Sequence, residues 1–179
     1  MARATALLAG ALLAAALASH AASPMAVRIL DWMLPVPASW TLQVPGSSMR
    51  LAQFTIASDG GRADAAVFYF GAAGGGSVEA NVARWSSQFL TDKGEPAQPV
   101  VEKGTASGMP VTWVALEGRY ARGVGTGPQG EALANQSLRV AVLETPRGNL
   151  IFQLWGDKAA VARQAPTLRA MVGSLKKAP

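Results

Sequence analysis

The first 21 residues place the strongest constraint on this chain, because their removal decides which residue types remain in the folded domain. Residues 1–21 have the pattern of a secretory signal peptide, with Arg3 as the charged start and an apolar stretch over 4–18. Cleavage at the end of this segment removes His20, which is the single histidine, and the chain contains no cysteine. The mature domain, residues 22–179, therefore folds without disulfides, and one hydrophobic core must supply its stability.

The leader also predicts where the protein works. Its apolar stretch is shorter than the about 20 residues that a membrane-spanning helix needs, and no later apolar run is longer. We expect an exported protein, periplasmic or extracellular, that is a monomer with no transmembrane segment in the mature chain. Because no cysteine is present to carry a lipid, we do not expect a lipoprotein.

The charge pattern argues against nucleic-acid binding. Loss of Arg3 with the leader leaves 15 basic and 11 acidic residues, a net charge of +4. The basic residues are scattered, and the tight groups are Arg119 with Arg122 and Lys176 with Lys177. Nucleic-acid sites concentrate basic residues on one element and place aromatic side chains among them. A solvated basic surface is the better interpretation, and no nucleic-acid partner is expected.

The spacing of apolar residues predicts three strands in the first part of the domain. Alternation over 29–34 indicates a strand that Pro35 and Pro37 end, and further strands are predicted over 49–57 and 65–70. The 65–70 segment is apolar on both alternating faces. We therefore expect it inside the sheet, with cover on each side.

Two amphipathic helices are predicted. Ser77 is suited to the N-cap of the first helix, with Glu79 in its first turn. The apolar stripe of this helix consists of Val78, Val82, Trp85 and Phe89. The second helix begins near Asp157, and Pro166 is expected to cause a kink or a restart within it.

Four more strands are predicted between the helices, over 100–107, 111–120, 137–144 and 150–155. Their short connections favour antiparallel hairpins. The predicted fold class is therefore α+β, with an antiparallel β-sheet of about six to seven strands flanked by two main helices in a single domain over 22–179.

At this level the chain resembles a known family. An early strand, a proline-containing turn and a tryptophan over 34–40 precede a hairpin, an amphipathic helix, a strand meander and a closing helix that ends at 173–175. This order is similar to the PsbP-like superfamily. Segments 47–54 and 74–81 also resemble those of uncharacterised exported bacterial proteins. The resemblance implies the PsbP-like fold, which a Ran-binding nuclear import cofactor shares, and an accessory or partner-binding role instead of a reaction.

A glycine-rich turn before the first helix is a candidate anion-binding site. Gly75, Gly76 and Ser77 stand where a helix start presents free amides. A nucleotide-binding loop needs a lysine after its last glycine, and none is present here. A strand-to-helix turn closed by its own N-cap is the alternative interpretation.

A second glycine-rich segment, 123–130, lies in a long predicted loop between two strands. Long loops are often either functional or disordered, so this segment is interpreted as a partner-contacting lid or as a mobile connection. Arg119, Tyr120 and Arg122 at its entrance form a candidate partner surface.

Two tryptophans lie on predicted strand faces that become polar toward one end. Trp113 and Trp155 either border an exposed ligand or glycan surface or pack against a helix. The sequence alone leaves both interpretations open.

No catalytic, cofactor-binding or metal-binding residue is predicted. A serine triad lacks its histidine base, and zinc sites lack their usual nitrogen and sulfur ligands. We expect a non-catalytic accessory domain that binds an unknown protein or envelope component through a sheet edge, the 123–130 segment, or both. Small-ligand or glycan binding at a concave sheet face near the two tryptophans is the first alternative. The second is a hydrolase that uses a serine or a pair of carboxylates, although Glu117, Glu131 and Glu144 have the positions of strand-face or loop residues.

Overall fold

The computed structural model describes residues 25–72, 74–120 and 132–179. The predicted signal peptide and the glycine-rich segment 123–130 lie outside these ranges. The described residues form two helices and two antiparallel sheets, so the predicted α+β class is confirmed. None of the helices in these ranges is long and apolar enough to cross a membrane.

The helices are α1 (Val78–Gln88) and α2 (Lys158–Gly173). The strands are β1 (Met25–Ile29), β2 (Trp32–Val36), β3 (Trp40–Gln43), β4 (Arg50–Ser58), β5 (Gly61–Tyr69), β6 (Phe89–Leu90), β7 (Val100–Ala106), β8 (Met109–Tyr120), β9 (Leu133–Thr145), β10 (Gly148–Asp157) and β11 (Lys176–Lys177).

The main sheet has eight strands in the order β3, β4, β5, β10, β9, β8, with β6 and β7 sharing the outer side of β8. A smaller sheet has the order β1, β2, β11. The predicted interior strand is β5, which pairs with β4 on one side and with β10 on the other. Consecutive residues Ala65, Ala66 and Val67 of β5 are all buried, as its two apolar faces require.

Both faces of the main sheet carry a core. On one face, α2 and the small sheet cover the α2-side core, which includes Phe54, Val67, Leu143, Phe152 and Leu168. On the other face, α1 covers the α1-side core, which includes Trp85, Phe89, Val114, Val140 and Ile151. Adjacent strand residues alternate between the two, because successive side chains of a strand point to opposite faces.

The predicted strand over 29–34 is wrong, because the chain reverses inside it. Leu30 has φ +52°, and the chain turns at Leu30 and Asp31, so that Ile29 of β1 pairs with Trp32 of β2. Pro35 does not end β2 but lies within it, opposite Ala26 of β1. A proline is tolerated there because β11 pairs with β2 only at Trp32 and Met33, which leaves one side of β2 unpaired at Pro35.

Helix α2 begins at the predicted place and passes through its proline. It is one continuous helix from Lys158 to Gly173 with Pro166 inside, so the predicted restart does not occur. Val161 and Leu168, on the two sides of the proline, are buried in the same core. Burial on both sides holds the helix together despite the backbone hydrogen bond that a proline removes.

Asp157 occupies the N-cap position of α2, but its side chain makes no cap hydrogen bond. Its carboxylate instead accepts hydrogen bonds from the backbone N–H of Arg62, at 2.8 Å, and from the amide of Gln136, at 3.0 Å. These bonds join the start of α2 to β5 and β9. They also lower the pKa of Asp157, with the Arg62 N–H as the larger cause.

We predict that Asp157→Asn lowers the free energy of unfolding by about 1 kcal/mol at neutral pH, because charge-assisted hydrogen bonds are lost. Since the folded pKa lies below the usual value of about 3.9, this stabilisation is complete well above that pH and is lost as the pH falls through the folded pKa. Urea unfolding across the acidic range measures both effects. The control is Asp59→Asn, an exposed change in the neighbouring β4–β5 turn, which should show neither the loss of free energy nor the acid dependence. Equal behaviour of the two variants would contradict the stabilising role given to Asp157.

Gly156 is required by a close approach between strands. It has φ +141°, and an added Cβ would meet the carbonyl oxygen of Arg62 and lie 2.8 Å from the Cα of Ala63. We predict that Gly156→Ala lowers the free energy of unfolding by about 3 kcal/mol, from backbone strain and overpacking together. Gly173→Ala is the control, because nothing lies within 4 Å of an added Cβ there. Calorimetry that found the two variants equally stable would contradict the prediction.

Candidate functional site

Strand β7 is an outer strand of the main sheet. Within the described ranges it pairs with β8 alone, so one of its two edges has no strand beside it. Every residue of β7 except Ala106 is exposed, and the exposed fractions of Val100 and Val101 are 61% and 45%. Exposed valines on an unpaired edge are unusual, because such edges promote association with another chain.

The turn at the end of β7 sets which backbone groups point outward. Ser107 and Gly108 have φ +48° and +75°, which is typical of a type I′ turn in a two-residue hairpin loop. In such a hairpin Ala106 and Met109 form a hydrogen-bonded pair, and this pairing alternates along the strand. Pro110, which has no N–H, accordingly falls at a position that is not hydrogen-bonded to β7. The backbone N–H and C=O groups of residues 101, 103 and 105 therefore point away from β8.

A groove runs beside β7, between β8 and α2. Its volume is about 190 Å³. It is lined by Val100, Glu102, Trp113, Val114, Ala115, Arg139, Val140, Ala165, Leu168 and Arg169. Small and apolar residues form most of this lining, so the groove suits an apolar side chain.

An arginine and a carboxylate form the outer wall of the groove. The guanidinium of Arg169 lies 4.5 Å from the ring centroid of Trp113 and 2.7 Å from the carboxylate of Glu102. Both charged side chains are more than half exposed, so this ion pair is weak and can rearrange. The wall can therefore give way to an incoming side chain at little cost.

A second charged network adjoins the groove and shares Arg139 with its lining. Glu117 accepts from Arg139 and from Lys158, each at 2.6 Å, and thereby joins β8 and β9 to the first residue of α2. Lys158 is the larger cause, and Arg139 the second, of the lowered pKa of Glu117. Glu117 therefore stays ionised, and its two oxygen atoms are used in holding the helix to the sheet.

Trp113 and Trp155 lie on opposite faces of the main sheet. Trp113 packs against the α2-side core and lines the groove, whereas Trp155 packs against the α1-side core. The predicted concave surface that uses both rings is therefore not formed. The cause is strand register: Trp113 pairs with Ala141, Trp155 pairs with Leu138, and residues 138 and 141 point to opposite faces.

The predicted surface at the entrance of the glycine-rich segment is only partly described. Arg119 is exposed on β8, opposite Leu90 of β6. Tyr120 stacks on Phe89 with ring centroids 4.9 Å apart, so it packs on the α1-side core. Arg122 lies outside the described residues. Neither described residue lines the groove at β7.

The Gly75–Gly76–Ser77 turn is tied together by its own groups. The Ser77 hydroxyl accepts from the N–H of Ala80 at 3.1 Å, as the predicted N-cap requires. The Asn81 amide donates to the carbonyl oxygens of Gly75, at 2.5 Å, and Ser77, at 2.9 Å. The Glu79 pKa is lowered by the backbone N–H of Glu79 itself and by the Ser77 hydroxyl. The Glu79 carboxylate already places a negative charge at the start of the helix, so the geometry favours a capped turn over an anion-binding site.

No three His, Cys, Asp or Glu side chains cluster in a metal-binding arrangement within the described ranges. The groove at β7 contains one carboxylate and two guanidinium groups, and the ion pairs described above use them. The arrangement is suited to holding an extended chain with an apolar side chain.

The sequence indicated Trp113 as a candidate site residue, but it did not indicate the residues that lie around Trp113 in the groove. Alternation places Val100 and Glu102 on one face of β7, yet it does not show that β7 is an outer strand. Arg169 belongs to the solvent side of the predicted second helix, and only the folded chain brings it over Trp113. A local signal did exist, because Ser107-Gly108 between two alternating runs is typical of a tight hairpin.

Comparison with solved structures identifies the fold. The chain matches the solution structure of cyanobacterial PsbP (CyanoP) from Synechocystis sp. PCC 6803 over 88% of this chain and 94% of that one, with a TM-score of 0.51 and 13% identity. The chain has the PsbP-like fold. No protein-family model and no curated protein matches the sequence.

Two further solved structures match this chain. One is PA94 of Pseudomonas aeruginosa, a protein of unknown function, over 88% of this chain and 99% of that one, with a TM-score of 0.49 and 14% identity. The other is LpqN of Mycobacterium tuberculosis, which is involved in cell envelope biogenesis, over 83% of each chain, with a TM-score of 0.45 and 16% identity. The fold assignment rests on the cyanobacterial structure.

We predict an alternating pattern of amide hydrogen exchange along β7. The outward amides of Val101, Lys103 and Thr105 should exchange rapidly, whereas those of Glu102 and Gly104, which donate to β8, should be protected. Two-dimensional NMR after transfer to D₂O measures this. Uniform protection, or the reverse alternation, would show that the outer edge is not free as described.

Proposed function

We propose that this protein is an exported accessory domain that binds a partner protein by taking up an extended segment of the partner beside β7. The observation that carries the proposal is the unpaired outer edge of β7, with exposed valines at its start and the Trp113 groove beside it. In strand addition, backbone hydrogen bonds supply affinity and side-chain pockets supply specificity.

The shape of the edge supports this mode of binding. An incoming strand would pair with the outward groups of residues 101, 103 and 105, and alternate side chains would face the α2 side. On that side Gly104 has nothing within 4 Å of an added Cβ, so no side chain stands in the way. An apolar side chain of the partner near Val100 would enter the groove over Trp113, where Arg169 and Glu102 separate to admit it.

The proposal assigns binding and not turnover to the domain. The pKa values of Glu117 and Asp157 are lowered by the groups to which they bind, and both carboxylates are engaged in joining α2 to the sheet. Export belongs to the proposal as well: residues 1–21 are a cleaved signal peptide, and the working domain is 22–179 in the periplasm or outside the cell.

Site-specific photo-crosslinking in the native host tests the proposal. A benzophenone amino acid at Val101 should give one discrete adduct with a different protein, and the same group at Thr41 on the opposite edge strand should not. Adding Lys103→Pro should reduce the Val101 adduct by about tenfold, because it removes an outward N–H without touching the β7–β8 hydrogen bonds.

Lys103→Ala is the matched control, since it removes the same side chain and keeps the N–H, and it should retain the adduct. Circular dichroism and the unfolding midpoint should show that both variants are folded. Equal adducts at Val101 and Thr41, an adduct that persists in Lys103→Pro, or an adduct between two copies of this chain would overturn the proposal.

A further inference from the structure

A second exposed region lies at one end of the main sheet, away from the groove. It is made by the loop that joins β3 to β4, the β9–β10 turn, the β1–β2 turn and the strand β11. Backbone and side-chain contacts connect these four segments into one continuous surface, which we call the basic end.

A chain of contacts runs across the basic end. The carbonyl of Met49 accepts from the N–H of Tyr69 at 3.1 Å, and the Tyr69 hydroxyl donates to the carbonyl of Arg147 at 2.7 Å. The guanidinium of Arg147 pairs with Asp31 at 2.9 Å. The carbonyl of Asp31 accepts from the N–H of Ala178, next to β11, at 2.7 Å. These contacts bring four separate segments of the chain together.

Apolar side chains project from this end. Val44 is 90% exposed, and Met49 and Leu42 are 50% and 44% exposed. The loop that carries Val44 is held by Gln53, whose side-chain oxygen accepts from the N–H of Gly46 and from Arg50. Exposed apolar side chains on a fixed loop mark a contact surface, because exposure of this kind is otherwise a cost to solubility.

Basic side chains outnumber acidic ones at the basic end. The cations of the basic end are Arg28, Arg50, Arg147, Lys176 and Lys177, and its acidic side chains are Asp31 and Glu144. Among the described residues, only Arg147 of the five cations has a carboxylate partner.

We infer that the basic end binds the surface of an anionic phospholipid bilayer. Val44 and Met49 enter the boundary between headgroups and acyl chains, and the cations of the basic end contact lipid phosphates. Apolar insertion and electrostatic attraction are the two signals that together give stable attachment to a membrane surface. This site shares no residue with β7 or its groove, so the inference is independent of the proposed function.

Vesicle co-sedimentation tests this inference. The chain without its leader, residues 22–179, is used, because the leader would itself bind lipid and the described fold lies wholly outside it. Vesicles of equal parts phosphatidylglycerol and phosphatidylcholine should sediment the protein, and vesicles of phosphatidylcholine alone should not. Binding should weaken strongly between about 0.1 M and about 0.5 M salt, because salt screens the attraction.

Two double variants separate the apolar and the charged contributions. Val44→Asp with Met49→Asp, and Lys176→Gln with Lys177→Gln, should each weaken binding by about tenfold or more. The matched controls are Val100→Asp with Val101→Asp, and Lys93→Gln with Lys103→Gln, which make the same changes elsewhere on the surface. Both controls should bind as the unchanged chain does.

Several outcomes would overturn the inference. They are equal sedimentation with the two vesicle types, no sedimentation with either, and loss of binding in the controls as large as in the variants. Binding that depends on Lys176 and Lys177 but not on Val44 and Met49, and that heparin removes completely, would show a general polyanion site and no membrane contact.

Discussion

Burial on both faces of the central strands is the constraint on which the rest of the structure depends. Strands β5, β10 and β9 carry apolar side chains on each face, so the sheet needs α2 and the small sheet on one side and α1 on the other. With no cysteine in the chain, these two cores supply the stability that disulfides give to small exported domains. Asp157 and Glu117 then join the start of α2 to the sheet, and the helix packs over β9 and β10.

Because both faces of the central strands are covered, the surfaces proposed to bind other molecules lie at an outer strand and at the strand ends. Helix α2 packs over β9 and β10, and the gap between it and strands β7 and β8 is the groove over Trp113. One end of the sheet, by contrast, carries the exposed side chains of Val44 and Met49 together with five basic residues, of which Arg147 has a carboxylate partner among the described residues. The proposed protein contact and the inferred lipid contact therefore use different residues of one domain.

Sequence patterns predicted the helices and strands more successfully than the contacts between them. The stripe that contains Trp85 and the N-cap at Ser77 depend on residues close together in the chain, and the structure contains both. The hairpin inside 29–34 was missed, because alternation continues through a two-residue turn without a glycine or proline to mark it. The predicted surface shared by Trp113 and Trp155 is not formed. A strand pattern gives the alternation within each strand but not the register between strands, and that register decides whether two rings lie on the same face.

The sequence by itself determined the α+β class, the two helices, the interior position of β5 and a chain without disulfides, because these follow from local periodicity and composition. Only the tertiary structure decided that β7 is outermost, that Arg169 covers Trp113, and that Met49, Tyr69, Arg147 and Asp31 adjoin. These features depend on strand order and on contacts between residues far apart in the chain. Periodicity repeats every two or 3.6 residues and carries no information about such distant partners.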